Sequence, residues 1–327
     1  MEFPYTRNRI LRQSSAIRDL VAEHRLHAND FIVPLFIIEG ENIQEEIPSM
    51  PGYYRMSLDK IEAEVKELWQ MGLKSVLLFV KVPDALKDNS GTEALNDDGL
   101  MQRSIRAIRA AVPGMLIMTD VALDPYSSFG HDGIVVEGEI INDATNEVLA
   151  EMAVSHARAG AQFVAPSDMM DGRISMIREA LEAEQFQQTG IMAYSAKYAS
   201  TFYGPFRDAL DSAPGFGDKK TYQMNPANGR EAEREALMDV TEGADIIMVK
   251  PALMYLDIIQ RLRSKITHPI AAYQVSGEYA MIKAAAQKGW LNEEAAILES
   301  LLAIKRSGAD LIATYFAKDA IKLLKNM

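Results

Sequence analysis

Cysteine is absent from the sequence of 327 residues. Its absence excludes disulfide bonds, zinc sites built from thiolates and a cysteine nucleophile. Disulfides belong mainly to oxidising compartments, so a chain without cysteine suits a reducing one. We therefore expect a cytoplasmic protein.

Positive charge and long apolar runs are also scarce. Lysine and arginine number 34 against 46 aspartates and glutamates, and the formal net charge of −12 argues against nucleic acid or an anionic membrane as a partner. The most apolar early stretch, residues 31–38, contains Pro34 and is too short to span a bilayer. Residues 1–7 carry charges and a proline where a signal peptide would be apolar. We expect neither kind of partner, although a local group of basic residues could still bind an anionic substrate.

Short apolar runs alternate with segments of helical period from about residue 30 to the end of the chain. One helical pattern contains Ile61, Val65 and Leu68, with Ser57 as its expected N-cap. Other helical patterns lie near residues 100–112, 147–159, 173–187, 230–242, 254–265, 279–288 and 293–307. The candidate strands are residues 31–37, 75–80, 115–120, 162–166, 191–195, 245–250, 269–275 and 310–315.

A glycine stands between a helical run and the next strand at four places, Gly72, Gly160, Gly243 and Gly308. Glycine just past a helix permits the left-handed turn that ends it. Repeated short connections of this kind are typical of βα units with a parallel sheet. About eight units, without a Gly-x-Gly-x-x-Gly turn after the first strand, favour a closed barrel over a doubly wound sheet. We predict an α/β protein: a (β/α)₈ TIM barrel over residues 30–327, preceded by an arm over residues 1–29.

The sixth candidate strand ends in Lys250, and Pro251 favours an extended conformation for that lysine. A buried ammonium is costly, so there are two alternatives. Either a carboxylate pairs with Lys250 in a purely structural role, or its pKa falls and the neutral amine becomes a nucleophile toward carbonyls. The fifth candidate strand leads into a second lysine, Lys197. Consecutive barrel strands are neighbours, so each ammonium should disfavour protonation of the other.

Other polar residues follow the candidate strands at their carboxyl ends, where barrel enzymes place their chemistry. Each of them alone could cap a helix or complete the core. Their convergence on one rim of the barrel indicates a site. They are Asp120, Asp124, Ser167, Asp168, Tyr273, Ser276 and Tyr315.

Three functions are compatible with two lysines on the rim of a barrel. One neutral lysine suits a class I aldolase, which holds one carbonyl substrate as a Schiff base. Two lysines suit an enzyme that holds two carbonyl substrates at once. A non-enzymatic barrel that binds a small molecule is the third alternative, and the intact pair of lysines argues against it.

Four long stretches carry a family resemblance: MVKPALMYLDI at Lys250, YSAKYASTFYGPFRDA at Lys197, YQVSGEYAMIK from Tyr273 and LIATYFAKD at Tyr315. Here the chain resembles porphobilinogen synthase, also called 5-aminolevulinic acid dehydratase, over nearly its whole length. The resemblance implies a lyase that condenses two molecules of 5-aminolevulinate into porphobilinogen with loss of two waters. This reaction is an early step of tetrapyrrole (heme and chlorophyll) synthesis. The resemblance also implies a homo-octamer that is built through the arm.

The resemblance further implies roles for single residues. Lys250 would bind the first substrate, which gives the propionate side of the product, and Lys197 the second, at the acetate side. Ser276 and Tyr315 would hold the carboxylate of the first substrate. Residues 198–228, which lack a clear period, would form a lid that excludes water. The remaining substrate-binding candidates are Arg207, Lys219 with Lys220 as its alternative, Gln223, Tyr273, Ser167 and Asp168.

The stretch DVALDPYSSFGHDG departs from the zinc-dependent members of this family, which place three cysteines where the chain has Ala122, Asp124 and Asp132. Without thiolates we expect no catalytic zinc, and the chain resembles the magnesium-responsive members. Asp124 and Asp132 would act on protons or bind the amino group of the second substrate, while His131 is expected to be solvated. Glu235 matches a glutamate that holds a stimulatory, allosteric Mg²⁺ outside the active site, although its helical pattern alone suggests only a solvated charge.

Overall fold

The computed structural model describes residues 2–325 and contains a closed barrel of parallel strands surrounded by helices. The barrel order is β1-β4-β5-β8-β9-β10-β11-β12, and β12 pairs with β1 to close it. The strands are Phe31–Ile38 (β1), Gln44–Glu46 (β2), Tyr54–Ser57 (β3), Ser75–Lys81 (β4), Leu116–Val121 (β5), Ile134–Val136 (β6), Glu139–Ile141 (β7), Phe163–Pro166 (β8), Gly190–Lys197 (β9), Ile246–Lys250 (β10), Ile270–Gln274 (β11) and Leu311–Thr314 (β12).

Helices follow the barrel strands and cover their outer faces. The α-helices are Ser15–Leu20 (α1), Leu58–Met71 (α2), Leu100–Ala111 (α3), Asn142–Ala159 (α4), Arg173–Ala183 (α5), Gly204–Leu210 (α6), Arg230–Thr241 (α7), Leu256–Arg263 (α8), Ser276–Gln287 (α9), Glu293–Arg306 (α10) and Ala317–Lys325 (α11). Short 3-10 helices are Asn8–Arg12, Ala28–Asp30, Asp84–Leu86, Thr92–Leu95, Thr201–Tyr203 and Leu253–Tyr255.

The predicted (β/α)₈ barrel is confirmed, and each of the eight candidate strands is a barrel strand. The sequence did not predict two additions, the β2 and β3 strands beside β1 and the β6–β7 hairpin after β5. The expectation of an aperiodic segment over residues 198–228 was wrong in part, because α6 forms within it. Ser57 does stand at the N-cap of α2, but its hydroxyl donates to the Asp59 carboxylate and makes no capping bond to the backbone.

The predicted turn glycines end their helices in the left-handed region. Their φ angles are +98° at Gly72, +112° at Gly160, +106° at Gly243 and +115° at Gly308. Other side chains rarely adopt this conformation, so glycine at these places lets a helix stop and the next strand begin within a few residues.

Strands β9 and β10 set the two lysines side by side. Their pairing shifts by one residue between Ile247 and Val249, which is a β-bulge. Beyond the bulge, Lys250 lies opposite Lys197. Residues paired across parallel strands direct their side chains to the same face of the sheet, so both amines enter the same end of the barrel.

The arm ahead of the barrel contains α1 and two of the 3-10 helices, and much of its apolar surface is exposed. Phe3, Tyr5 and Leu20 are 75%, 91% and 80% exposed. None of the helices among residues 2–325 has the length and apolar character that crossing a membrane requires.

Candidate active site

Lys250 lies at the carboxyl end of β10 in a box of aromatic rings, and its side chain is buried. Its Nζ atom lies 4.6 Å from the ring centroid of Tyr273 and 4.8 Å from that of Phe206. The rings of Tyr194 and Tyr203 are 5.0 and 5.3 Å away. The Tyr203 hydroxyl also donates to the Lys250 backbone carbonyl at 3.1 Å, which fixes the end of the strand.

The surroundings of Lys250 favour a neutral amine. Burial, followed by the adjacent charge of Lys197, lowers the pKa of Lys250 to about 7. Among the described residues, no carboxylate forms an ion pair with Lys250, unlike Lys197, whose Nζ lies 3.8 Å from Asp132 Oδ1. An uncharged amine at neutral pH is a nucleophile toward a carbonyl carbon. The predicted nucleophilic alternative is therefore the one that the geometry supports.

Lys197, at the end of β9, is held by the residue that follows the neighbouring strand β8. Its Nζ atom donates to the Ser167 backbone carbonyl, at the end of β8. Ser167 therefore contacts the site through its main chain. Asp168 lies against Arg173 at 3.9 Å and accepts a hydrogen bond from the Met170 amide at 2.7 Å. Burial raises the pKa of Asp168 to about 6, and its Oδ2 atom has no hydrogen-bond partner within residues 2–325.

Two aspartates and a lid lysine form a second charged group beside Lys197. Lys219 Nζ lies 3.3 Å from Asp124 Oδ2 and 3.2 Å from Asp132 Oδ2, and all three side chains are buried. Burial acts to lower the pKa of Lys219, but the charges of Asp124 and Asp132 outweigh it and raise that pKa. The adjacent Lys220 points outward, with a side chain that is 75% exposed and paired with Asp218. Lys219 is thus the lysine of this pair that enters the site.

The carboxyl groups at this end of the barrel differ in proton affinity. Burial acts to raise the pKa of Asp132, but the ammonium groups of Lys197 and Lys219 lower it to about 2. Burial raises the pKa of Asp124, against the opposing charge of Lys219. Asp120 has a pKa of about 7, raised by burial and then by the charge of Asp124. The site therefore combines one firmly ionised carboxylate with two that bind protons more readily.

Hydroxyl groups collect on the Lys250 side of the site. The hydroxyls of Tyr273 and Tyr315 lie 3.0 Å apart. Ser276 Oγ accepts a hydrogen bond from the Phe206 amide at 2.9 Å, so it joins α9 to the lid. The predicted carboxylate-binding hydroxyls of Ser276 and Tyr315 therefore share one wall with Lys250.

The other predicted residues near the lid differ in how deeply they are buried. Gln223 is buried and its Oε1 atom has no hydrogen-bond partner within residues 2–325. Arg207 lies in α6 and is partly exposed. The expectation that His131 is solvated was wrong, because its side chain is 1% exposed and both ring nitrogens have partners.

Glu235 lies apart from the lysines, on α7, in a cavity of about 790 Å³ between that helix and the lid. The side chain is half-buried, and burial raises its pKa. Neither lysine nor arginine occurs among the described residues that line the cavity. Its acidic lining residues are Glu139, Asp171, Asp218, Glu231 and Glu235.

Sequence reasoning missed the aromatic box. Tyr194 belongs to a predicted strand, and its ring lies on the face of the sheet that carries Lys250. Tyr203 and Phe206 lie in the lid segment, where no period in the sequence assigns them a direction. The signal in the sequence was the density of aromatic residues in YSAKYASTFYGPF, residues 194–206, where five of 13 residues are aromatic.

Comparison with known proteins was consistent across three kinds of match. The family model described as delta-aminolevulinic acid dehydratase matches residues 5–323. The chain is 51% identical over 324 residues to a delta-aminolevulinic acid dehydratase of Bacillus subtilis, covering 99% of each chain. It is 56% identical over 314 residues to the chloroplastic enzyme of Pisum sativum, covering 95% of this chain and 79% of the relative. The crystal structure of the Toxoplasma gondii enzyme with its reaction product porphobilinogen matches with a TM-score of 0.97 and 52% identity, covering 98% of this chain and 92% of that one.

Proposed function

Since the chain belongs to the delta-aminolevulinic acid dehydratase family, we propose that Lys250 and Lys197 are the two amines through which it condenses two molecules of 5-aminolevulinate into porphobilinogen. The observation that carries this assignment is the pairing of the two lysines across adjacent strands, with Lys250 enclosed by aromatic rings. Family membership decides against the aldolase and the non-enzymatic alternatives.

Each lysine would add to the ketone of one substrate and release one water as the Schiff base forms. Two Schiff bases held side by side then have their carbon atoms within bonding range, and the entropy of bringing two molecules together is already lost. A carbon beside the Lys197 Schiff base would lose a proton and bond to the imine carbon on Lys250. Loss of a second proton from the same carbon would release Lys250 as a free amine. The amino group of the Lys250 substrate would bond to the imine carbon on Lys197 and release Lys197 as a free amine. Transfer of a proton to the ring nitrogen from the CH2 carbon beside it would complete the pyrrole.

The two substrates would be distinguished by what holds their carboxylates. The hydroxyls of Ser276 and Tyr315 lie on the Lys250 side and suit the first substrate, as the family resemblance implies. Arg207, Lys219 and Gln223 come from the lid and suit the second. Two observations support this assignment. Lys219 and Gln223 are buried beside the lysine pair, and the guanidinium of Arg207 can bind a carboxylate in a bidentate manner.

Asp124 and Asp132 would have different roles, one in proton transfer and the other in substrate binding. Asp132, with a pKa of about 2, stays ionised and is suited to binding the ammonium group of the second substrate. Asp124 has a raised pKa and is suited to accepting the proton that leaves the substrate carbon. Its proton affinity would increase further when Lys219 moves from Asp124 to a substrate carboxylate.

The donor atoms of the chain suit magnesium at Glu235 better than zinc at the lysines. Among residues 2–325, no three histidine, aspartate or glutamate side chains are placed to share one metal ion. Magnesium binds through one or two carboxylates and keeps most of its water ligands, so Glu235 in an acidic cavity would be sufficient. Bound there, magnesium would supply charge that stabilises the neighbouring lid segment. The positions Ala122, Asp124 and Asp132 offer no thiolate for a catalytic zinc.

We also propose a cytoplasmic homo-octamer whose subunits join through residues 1–29. The support for the assembly is the exposure of apolar side chains on the arm, including Phe3, Tyr5 and Leu20. The lack of cysteine supports the compartment.

Reductive trapping tests the assignment of the lysines. Borohydride reduces a Schiff base to a stable amine. Incubation with 5-aminolevulinate and borohydride should therefore add the mass of one substrate less one oxygen atom to Lys250, located by mass spectrometry of the digest. Lys250→Met keeps the bulk of the side chain and should abolish both trapping and formation of porphobilinogen. Lys197→Met should still allow trapping at Lys250 while product formation is lost. Turnover near wild type in Lys250→Met would contradict the proposal.

A further inference from the structure

The lid and the loop that carries Asp132 are fastened together along several residues. The Gly215 amide donates to the Phe129 carbonyl at 2.9 Å, and the Phe129 and Phe216 rings meet edge to face at 5.8 Å. Gly130 has φ of +66°, and a Cβ at that position would lie 2.3 Å from the Ala213 carbonyl oxygen. Only glycine allows this close approach of the two backbones.

His131 is at the centre of this contact. Its Nε2 atom lies 3.1 Å from the Phe216 carbonyl oxygen, and its Nδ1 atom lies 3.1 Å from the Tyr222 hydroxyl. A carbonyl only accepts, so Nε2 carries a proton and donates to Phe216, while Nδ1 shares a hydrogen bond with the Tyr222 hydroxyl. The His131 ring also packs on Phe216, with centroids 4.7 Å apart. One buried histidine thus holds both ends of the lid segment that contains Lys219.

The same contact reaches the catalytic aspartates. The Tyr222 hydroxyl, which is hydrogen-bonded to His131, accepts a hydrogen bond from the Asp132 amide at 3.3 Å. Lys219 lies between Phe216 and Tyr222 in the chain, and its ammonium group pairs with Asp124 and Asp132. His131 itself forms no hydrogen bond with Lys197 or Lys250 in the part of the chain that the structure describes. Its effect on the reaction must pass through its neighbours.

We propose that His131 is a positioning residue that fastens the closed lid and thereby sets Asp132 and Lys219 against the bound second substrate. The inference rests on the proposed function of Asp132 and Lys219. Without the histidine, the lid would be open for a larger fraction of the time. A ligand that binds only the closed form then has an apparent affinity equal to its affinity for the closed form multiplied by the closed fraction of the protein.

Three variants separate hydrogen bonding from packing. His131→Phe keeps an aromatic ring against Phe216 and removes both hydrogen bonds. His131→Gln supplies one donor and one acceptor, so it should restore most of the effect. Tyr222→Phe removes the hydroxyl from the other side of the same bond. Thr221→Val is the matched control, since Thr221 is an exposed lid residue without a side-chain hydrogen bond among residues 2–325.

The measurements are steady-state kinetics with 5-aminolevulinate and amide hydrogen exchange of the unliganded protein. His131→Phe should raise KM about tenfold, as expected for loss of one to two hydrogen bonds, with a smaller change in kcat. Exchange should become faster over residues 213–222 and stay unchanged in the barrel strands. Tyr222→Phe should act similarly, and the double variant should be little worse than either single variant. Thr221→Val should match wild type.

Three outcomes would overturn the proposal. The first is unchanged hydrogen exchange over residues 213–222 in His131→Phe. The second is faster exchange throughout the barrel, which would indicate a purely structural role. The third is additive effects of the two substitutions in the double variant. Reductive trapping at Lys250 keeps this test apart from the proposed function. If trapping at Lys250 is normal in His131→Phe but the lid is unaffected, only the role of His131 is refuted. If wild-type protein shows no trapping at Lys250, the assignment of the lysines has failed.

Discussion

Two buried lysines of the same site, Lys250 and Lys219, have pKa values shifted in opposite directions because only Lys219 is paired with carboxylates. Lys250 lies among aromatic rings without an ion-pair partner in the described chain, and its pKa falls to about 7. Lys219 is equally buried, but Asp124 and Asp132 stand within ion-pair distance and its pKa rises. One amine is thus prepared to attack a carbonyl, and the other stays an ammonium that can bind a carboxylate.

His156 provides a prediction about stability at acidic pH. It is fully buried on α4, and burial lowers its pKa to about 3. The unfolded chain takes up a proton near pH 6.5, whereas the folded chain does so only near pH 3. The folded protein should therefore lose about 1.4 kcal/mol per pH unit as the pH falls from 6.5 toward 3. Denaturant unfolding at pH 7, 6 and 5 should show this loss.

The control for that prediction is His156→Asn, which cannot titrate in this range. Asparagine can keep a hydrogen bond to Thr119 Oγ1, the present partner of His156 Nδ1 at 3.0 Å. We expect the variant to be less stable at pH 7 but to have a shallower dependence on pH. Equal slopes in the two proteins would show that the folded protein protonates His156 without difficulty.

A second prediction for a single residue concerns magnesium. Glu235→Gln should abolish the stimulation by magnesium and leave the activity that wild type retains in a chelator, because the charged ligand is lost and the lysines are untouched. Activity measured against magnesium concentration tests this. Glu233→Gln is the control, since Glu233 lies on the same helix and pairs with Arg261 at 3.0 Å. Activity that is restored by zinc alone, with stoichiometric zinc in the protein, would contradict the assignment.

The lid segment is joined to the barrel where the 3-10 helix Thr201–Tyr203 meets the start of α9. Tyr203 holds the Lys250 backbone carbonyl, and Ser276 holds the Phe206 amide. Gly277 permits this contact, since a Cβ there would lie 2.5 Å from the Phe202 carbonyl oxygen and 2.7 Å from the Phe202 Cα. Small displacements at this junction would therefore move the environment of Lys250.

Gly277→Ala should lower kcat/KM by about 10- to 100-fold, because the added methyl group pushes the Tyr203 end of the lid away from Lys250. The thermal midpoint should fall by only a few degrees, since the barrel strands are not touched. Gly204→Ala is the control, because nothing lies within 4 Å of a Cβ at that position. If Gly277→Ala and Gly204→Ala have the same activity, the junction does not position Lys250.

Across the whole molecule, the distribution of apolar surface separates the arm from the barrel. Barrel strands such as β1 and β10 are buried along their full length, whereas Phe3 and Tyr5 in the arm are largely exposed. Exposed aromatic side chains beside arginines are typical of surfaces that bind another subunit. This contrast supports assembly through the arm.

Deletion of residues 1–29 should leave a folded barrel that forms smaller assemblies and has reduced activity. The arm is outside the barrel core, so folding should survive its loss, while the subunit contacts proposed for the arm would be lost. Light scattering coupled to size exclusion gives the mass, and circular dichroism confirms the fold. An unchanged mass would show that the oligomer is built by other surfaces.

The sequence by itself determined the eight strands, their order and the glycine turns that precede four of them. These depend on local features, namely the period of apolar residues and glycines such as Gly72 and Gly160, whose positive φ angles the structure confirms. It also singled out Lys197 and Lys250, because each ends an apolar strand pattern within a long motif that carries the family resemblance.

Only the tertiary structure decided which of these side chains meet. Lys219 enters between Asp124 and Asp132, which are remote in the sequence, and a bulge sets Lys250 opposite Lys197. His131 was expected in solvent and is buried, because the lid folds over it. Side-chain burial and ion pairing depend on contacts between distant segments, and no local period in the sequence records them. The protonation of the site is therefore a property of the folded barrel with its lid closed.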